Sequence, residues 1–319
     1  MKRVGWWHFE VCVPREWDIV AQGRSRSTEV FRLADAGYTV RLEVSLERMP
    51  LEKAKSVEEL LALYRSSWES RLKELERKEG AKAELKHVSK DEVSVLGHKG
   101  LLWAFRVSGM PLYAALWYCE RSERAVALTF TPKRAGEEEL FRSMVESAKC
   151  HFQSPEERAL WSLLVVSLRL PQHLQLVSAK FAATATYCLF ADSEMERYLL
   201  IGYSGLVGLT MGRYKKGLRG WFEGEVLRDA SKHIKQQLPK LKYREEPGGA
   251  VVVEGETFAL TRKGKRLFMG RLWHDSAIDR ALAAAVFYPL HSAEEARSAL
   301  NDLVAQLGAC LLYTSDAAD

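Results

Sequence analysis

A strongly basic run in this sequence is GRYKKGLRGWFEGEVLRDASKHIKQQLPKLKYR, Gly212 to Arg244, where ten Lys or Arg residues stand against Glu223, Glu225 and Asp229. Such a segment suits a polyanion, nucleic acid or phosphate. Arg213, Lys215, Lys216 and Arg219 would serve as electrostatic anchors, and Trp221 or Tyr214 as a stacking surface. Within it, KKGLRG sets Gly217 and Gly220 as a G-x-x-G turn ahead of a helix, where open backbone N–H groups and the helix dipole favour an anion. A G-x-x-G loop clamps nucleotide backbone in KH domains, but the element before this one is strand-like. The competing reading is a solvated basic face, since Arg228, Lys232 and Lys235 lie opposite Ala230 and Ile234.

Other donors are scattered. Glu84 and His87 have the i, i+3 spacing of a helical metal site, but they follow the helix stop at Gly80 and have no third or fourth ligand, so they read as a solvated pair. Cys150 and His151 are adjacent rather than spaced as ligands, and His151 reads as packing beside Phe152. Cys12, Cys119, Cys150 and Cys188 are far apart, with no C-x-x-C, and read as reduced thiols of a cytosolic protein. Neither a metal nor a cofactor is expected. The chain carries no G-x-x-x-x-G-K-[ST], G-x-G-x-x-G, H-E-x-x-H or G-x-S-x-G motif, and GYSG at Gly202 has the wrong spacing for a nucleophile elbow. The nine tryptophans fall mostly on apolar phases and read as core. Trp6 and Trp7 are the exception: neighbours on a strand point to opposite faces, so one is expected at an exposed edge or protein contact unless both sheet faces are covered.

The elements that must position these residues follow from length and pattern. A chain of 319 residues, 47% hydrophobic and 28% charged, exceeds the roughly 100–200 residues of one domain, so two cored domains are expected. The last ten residues, CLLYTSDAAD, back-translate without a gap into a sequencing-adapter read-through; residues 310–319 are read as an artefactual tail, loose or disordered. Setting aside its Asp316 and Asp319 leaves 47 basic residues against 40 acidic, an excess of +7. The N-terminus lacks the apolar core of a signal peptide, and no stretch approaches a membrane span, so a cytoplasmic location is expected.

The first half of the chain is repeated in the second. FEVCVPREWDIV sets Phe9, Val11 and Val13 in phase before Pro14; VSLRLPQHLQLV sets Val166, Leu168 and Leu170 in phase before Pro171. From each proline the next Ala-Asp pair, Ala34-Asp35 or Ala191-Asp192, places its aspartate 21 residues on. A strand follows (YTVRLEV; YLLIGY), then a long helix. In the first copy Ser56 and Glu59 have capping-box spacing ahead of the stripe Val57, Leu60, Leu61, Tyr64, Trp68, Leu72, Leu75. In the second the stripe is Phe222, Val226, Ala230, Ile234, Leu238, Leu241. Three strands come next, LLWAFRV, LYAALWYCE and AVALTFTP, matched by GETFALTR, RLFMGRLWH and ALAAAVFYP. Each set ends in proline, Pro132 or Pro289, before a short amphipathic helix. The expected architecture is α+β: two tandem domains, 1–153 and 154–309, each a mainly antiparallel sheet flanked by helices.

An opening strand ending in Pro-x-x-Trp (Pro14, Arg15, Glu16, Trp17), two strands, a long helix, a meander and a terminal helix closing on Cys150-His151-Phe152 resembles the PsbP-like family. The likeness covers residues 5–152 and, with Leu174 in the tryptophan's place, 161–309. It implies a sheet sandwiched by helices that serves binding or assembly rather than catalysis. The leading expectation is therefore a non-enzymatic tandem scaffold for an unidentified protein partner. A nucleic-acid or phosphate binder using 212–244 is the alternative, and an enzyme with a site between the copies is the weakest reading.

Overall fold

Alternating apolar residues in both halves become strands of two seven-stranded antiparallel sheets. The structure, a computed structural model, describes residues 1–319 except 80–83, 135, 164–165, 183, 206, 258–263, 277–278 and 316–319. Contacts divide the chain into two compact units, Met1–Ser167 and Leu168–Asp319, so the segment just after the expected seam at 153/154 packs with the first.

In the first unit, β1 (Lys2–Trp6) and β2 (Phe9–Val13) form a hairpin. Then come β3 (Asp18–Arg24), β4 (Thr28–Ala34), β5 (Val40–Arg48), α1 (Val57–Glu79), β6 (Leu85–Val95), β7 (His98–Val107), β8 (Met110–Cys119), β9 (Arg124–Phe130), α2 (Glu138–Glu146) and β10 (Arg158–Leu163). The sheet order is β3-β4-β5-β9-β8-β7-β6. Successive side chains leave opposite faces, which sorts the core. Leu42, Val44 and Leu46 of β5 are buried on the face that meets β2 and α2. There Phe141 of α2 stacks on Phe130, and Phe9 meets Trp117 and Phe31. On the other face lies α1, which opens with the expected capping box: the Ser56 N–H donates to Glu59 Oε2 and the Glu59 N–H to Ser56 Oγ. Its Tyr64 and Trp68 pack on Trp103 and Phe105 of β7.

The second unit begins with β11 (Val166–Pro171), which spans the division. It continues through β12 (Gln175–Lys180), β13 (Thr186–Ala191), β14 (Tyr198–Ser204), α3 (Val207–Met211), α4 (Gly217–Trp221), a π-helical turn (Phe222–Leu227), α5 (Arg228–Ala230) and a 3-10 turn (Ser231–His233). The last elements are β15 (Lys242–Glu245), β16 (Val251–Glu256), β17 (Arg266–Asp275), β18 (Arg280–Pro289) and α6 (Ala293–Ser315). The order β12-β13-β14-β18-β17-β16-β15 repeats that of the first sheet strand for strand. Trp221, Phe222, Val226 and Ala230 are buried against one face. Ala296, Leu303 and Leu307 of α6 are buried too, with α6 against β17 and β18.

Local chemistry overrides the sequence expectation at several points. The second long helix is a broken run ending at His233, and Ile234 is extended. Gly217, Gly220 and Gly224 weaken it, and Pro239 forbids its continuation. Leu238 and Leu241 of the expected stripe still pack on the core, from extended chain. The strand expected at GETFALTR lies upstream as β16; 258–263 are outside the described residues. Edge strands β6 and β15, rich in charge, had no apolar alternation to announce them. The 310–319 tail was expected to be loose; in backbone terms α6 runs into it as far as Ser315. Residues 316–319 lie outside the described residues.

Candidate functional sites

In the first unit α1 covers β7 and β8 but leaves β4, β5 and β9 open, and the uncovered ground is a cleft of about 360 Å³. The same alternation that buries Leu42, Val44 and Leu46 turns Glu43, Ser45 and Glu47 into its floor, beside Ala127 and Thr129 of β9. Leu60, Leu63, Tyr64, Ser67, Trp68 and Arg71 of α1 form the wall, with Lys55 and Met49 at the mouth. Tyr64 and Thr129 share a hydrogen bond between hydroxyls. Glu43 pairs with Arg32 at 2.6 Å, and the Arg71 guanidinium lies over Trp68 at 5.8 Å. An apolar wall facing a floor with a few convergent polar groups is the usual make-up of a binding pocket.

A second constellation lies on the other face of the same sheet. His98, Cys119, Cys150 and His151 bring one ligand atom each to within 4.8 Å of one another, and the last three are buried. His151 Nδ1 is 3.3 Å from His98 Nε2, 3.4 Å from Cys119 Sγ and 3.5 Å from Cys150 Sγ. Three segments deliver them. The Leu96-Gly97 turn, both residues at positive φ, makes His98 the first residue of β7. Gly100 faces Trp117 across β7 and β8, so Cys119, two residues beyond, falls beside His98. After α2, a bridge of two backbone hydrogen bonds between Lys149 and Glu10 clamps the chain and carries Cys150 and His151 against the sheet. The Cys119 thiol is pushed well below the ordinary thiol range, first by the hydrogen bond from Cys150, then by the hydroxyl and backbone N–H of Ser122 and the charge of His98. Cys150, which donates that hydrogen bond and is buried, is pushed up. The Gln153 amide meets His151 Nε2 at 3.3 Å. Two thiols and two imidazoles in this arrangement are the donor set of a tetrahedral metal site.

Spacing alone shows no ligand set around Cys150-His151 and gives no reason to single out His98. The sequence signal that joins them is the Ser108-Gly109 hairpin turn, both residues at positive φ: Val107 pairs with Met110, and counting outward from that pair brings His98 opposite Cys119. His87, expected to be solvated, accepts the indole N–H of Trp103 at 2.8 Å.

The residues singled out for polyanion binding differ in their surroundings. Arg213, Lys215 and Lys216 are exposed. Arg219 is taken up by Glu223 at 3.2 Å and by the Tyr243 ring at 4.2 Å. Trp221 is fully buried, donates to Thr184 O and offers no stacking face. Asp229 sits between Lys180 and Lys232, and these two pairings hold its carboxyl far below the usual range. Trp6 and Trp7 were expected to place one ring at a contact surface, but both are buried. Trp7 belongs to the hairpin turn, at φ 53°, so strand alternation does not apply, and both rings meet Trp161 edge to face. Gly5 makes this possible, because a side chain there would stand 2.4 Å from the carbonyl oxygen of Leu160.

Among the described residues, no helix is long and apolar enough to cross a membrane. No protein-family model matches the chain, and no curated protein sequence matches it. The solution structure of cyanobacterial PsbP (CyanoP) from Synechocystis is similar over 46% of this chain and 91% of its own, at 13% identity and a TM-score of 0.36. A crystal structure from Bacteroides thetaiotaomicron is similar at 11% identity over 48% of each chain, with a TM-score of 0.27. MucB, crystallised with MucA(peri), aligns over 90% of this chain and 85% of its own at 11% identity and a TM-score of 0.16. Likenesses of this strength leave the functional reading to the residues themselves.

Proposed function

We propose that the chain is a non-enzymatic, cytoplasmic binding scaffold of two tandem PsbP-like units that arose by duplication, and that a protein partner docks by placing an apolar side chain in the cleft beneath α1. The observation that carries this is the cleft itself: about 360 Å³ of open space over a sheet whose opposite face is closed by aromatic packing. That volume lies in the range of natural ligand pockets. Duplication is supported by two turns that recur at matched places. The N–H of Trp17 bonds to Pro14 O, and that of Leu174 to Pro171 O, each at 3.1 Å. Asp35 Oδ1 accepts from the N–H of Gly37 and Thr39, and Asp192 Oδ1 from those of Glu196 and Arg197. The ion pairs of Arg219, Lys180 and Lys232 weigh against the polyanion alternative, although Arg213, Lys215, Lys216, Lys235, Lys240 and Lys242 are exposed.

The test is a peptide display selection on the full chain and on Ser45→Leu, which fills the cleft floor. Peptides with one large apolar residue that bind the parent chain and not the variant support the reading. Equal recovery on both sinks it.

A further inference from the structure

We propose that His98, Cys119, Cys150 and His151 bind one zinc(II) ion in a closed tetrahedral site that ties the first unit together. Zinc–nitrogen bonds of about 2.0–2.1 Å and zinc–sulfur bonds of about 2.3 Å require tetrahedral edges of about 3.3 Å between nitrogens and about 3.5 Å between nitrogen and sulfur. The three contacts of His151 Nδ1, at 3.3, 3.4 and 3.5 Å, already have those lengths. The donor types select the ion. Two thiolates and two imidazoles with no carboxylate suit borderline-soft zinc over magnesium or calcium, which take oxygen. Two thiolate charges cancel the ion's charge, so the loaded site is neutral and tolerates burial.

The groups around the four donors fit the same reading. Ser122 lies beside the Cys119 sulfur and Trp117 beside that of Cys150, and the Ser122 hydroxyl and Trp117 indole N–H are buried with no other hydrogen-bond partner. Donors beside a thiolate help hold its charge, and with Nδ1 on the ion the Nε2–H of His151 would donate to the Gln153 side-chain oxygen once that amide is turned over, since the amide nitrogen now stands 3.3 Å away. Four protein ligands leave no position for water or substrate, which makes the role structural. The ion would join the start of β7, the end of β8 and the chain after α2, and through the Glu10–Lys149 bridge it would reach the N-terminal hairpin. Cross-links between segments far apart in sequence are the ones from which closure gains most. Among the described residues, the second unit has no equivalent cluster.

The experiment uses the full chain purified without chelator. Elemental analysis is expected to give about one zinc per chain. Exchange into cobalt(II) is expected to produce the intense visible bands of tetrahedral cobalt together with thiolate charge-transfer absorption. His98→Ala removes the half-buried ligand with least disturbance, and its zinc affinity, measured against a chromophoric chelator, is expected to fall by on the order of 100-fold. Cys188→Ser, elsewhere in the fold, is expected to bind as the parent does. Should Cys119→Ser not fold, the cobalt spectrum of the parent chain still decides the matter. A parent chain that takes up neither zinc nor cobalt, a Cys119–Cys150 disulfide in the metal-free protein, or unchanged affinity in His98→Ala would each overturn the proposal.

Discussion

The two units share one strand order and spend it differently on the face beneath their internal helix. In the second, Tyr187, Leu189, Leu200 and Ala283 meet Trp221, Phe222 and Val226 with no described gap. The approach is so close that a side chain at Gly202 would lie 3.0 Å from a Val226 methyl. In the first, the corresponding face carries Glu43, Ser45, Glu47 and Thr129 and stays open beside α1. A sheet needs one well-filled face to be stable. The first unit has that on the α2 side, where the proposed zinc site would add a cross-link, and the α1 side stays partly open. The second has both faces filled and a helix broken along its glycine-bearing run.

Four substitutions test that contrast, beginning with the largest effect. Trp221→Ala should remove the plug of the second unit and cost about 3–5 kcal/mol, read from urea unfolding, with loss of hydrogen-exchange protection confined to β13, β14 and the 217–233 run. Loss spreading equally to β4 and β5 would mean the units are not separately packed. Gly202→Val should cost about 1–3 kcal/mol by overpacking; a neutral result would show that Val226 has room and that the second unit is looser than described. Ser56→Ala should cost about 1 kcal/mol and fray α1, because that helix covers only part of its sheet and leans on its own cap. Retained protection in the first turn of α1 would contradict this. Ser45→Leu, which adds bulk on the open face, should change stability by less than about 0.5 kcal/mol. A cost like that of Gly202→Val would erase the distinction between the two faces.

Much of the frame was legible in the sequence because the repeated residues have local jobs. Pro14 and Pro171 close strands and accept the same turn hydrogen bond, and Asp35 and Asp192 organise the β4–β5 and β13–β14 turns through their own carboxylates. Such chemistry depends on near neighbours, so spacing reveals it. The two candidate sites depend on register instead. His98 and Cys119 meet only because two hairpin turns count them into the same place, and Cys150 arrives by a backbone bridge to Glu10. The cleft was hidden for a related reason. Glu43 and Ser45 look like an ordinary wet face until the helix meant to cover them is found to sit over β7 and β8. The basic run differs again, since a local count of cations says nothing of the carboxylates that pair with Arg219 and Lys232.

The strand order also bears on how the protein folds. At the centre of each sheet the third and last of its strands in chain order are neighbours: Val44 pairs with Leu128, and Leu199 with Val286. Those partners are roughly 85 residues apart in sequence, whereas the β7–β8–β9 meander is built from tight local turns, and distant pairings are the slow ones to form. During synthesis β3, β4 and β5 emerge with one edge open and must wait for β9. An early three-stranded sheet with an unpaired β5 edge is therefore the species most exposed to mispairing, and each unit must pass through its own version of it.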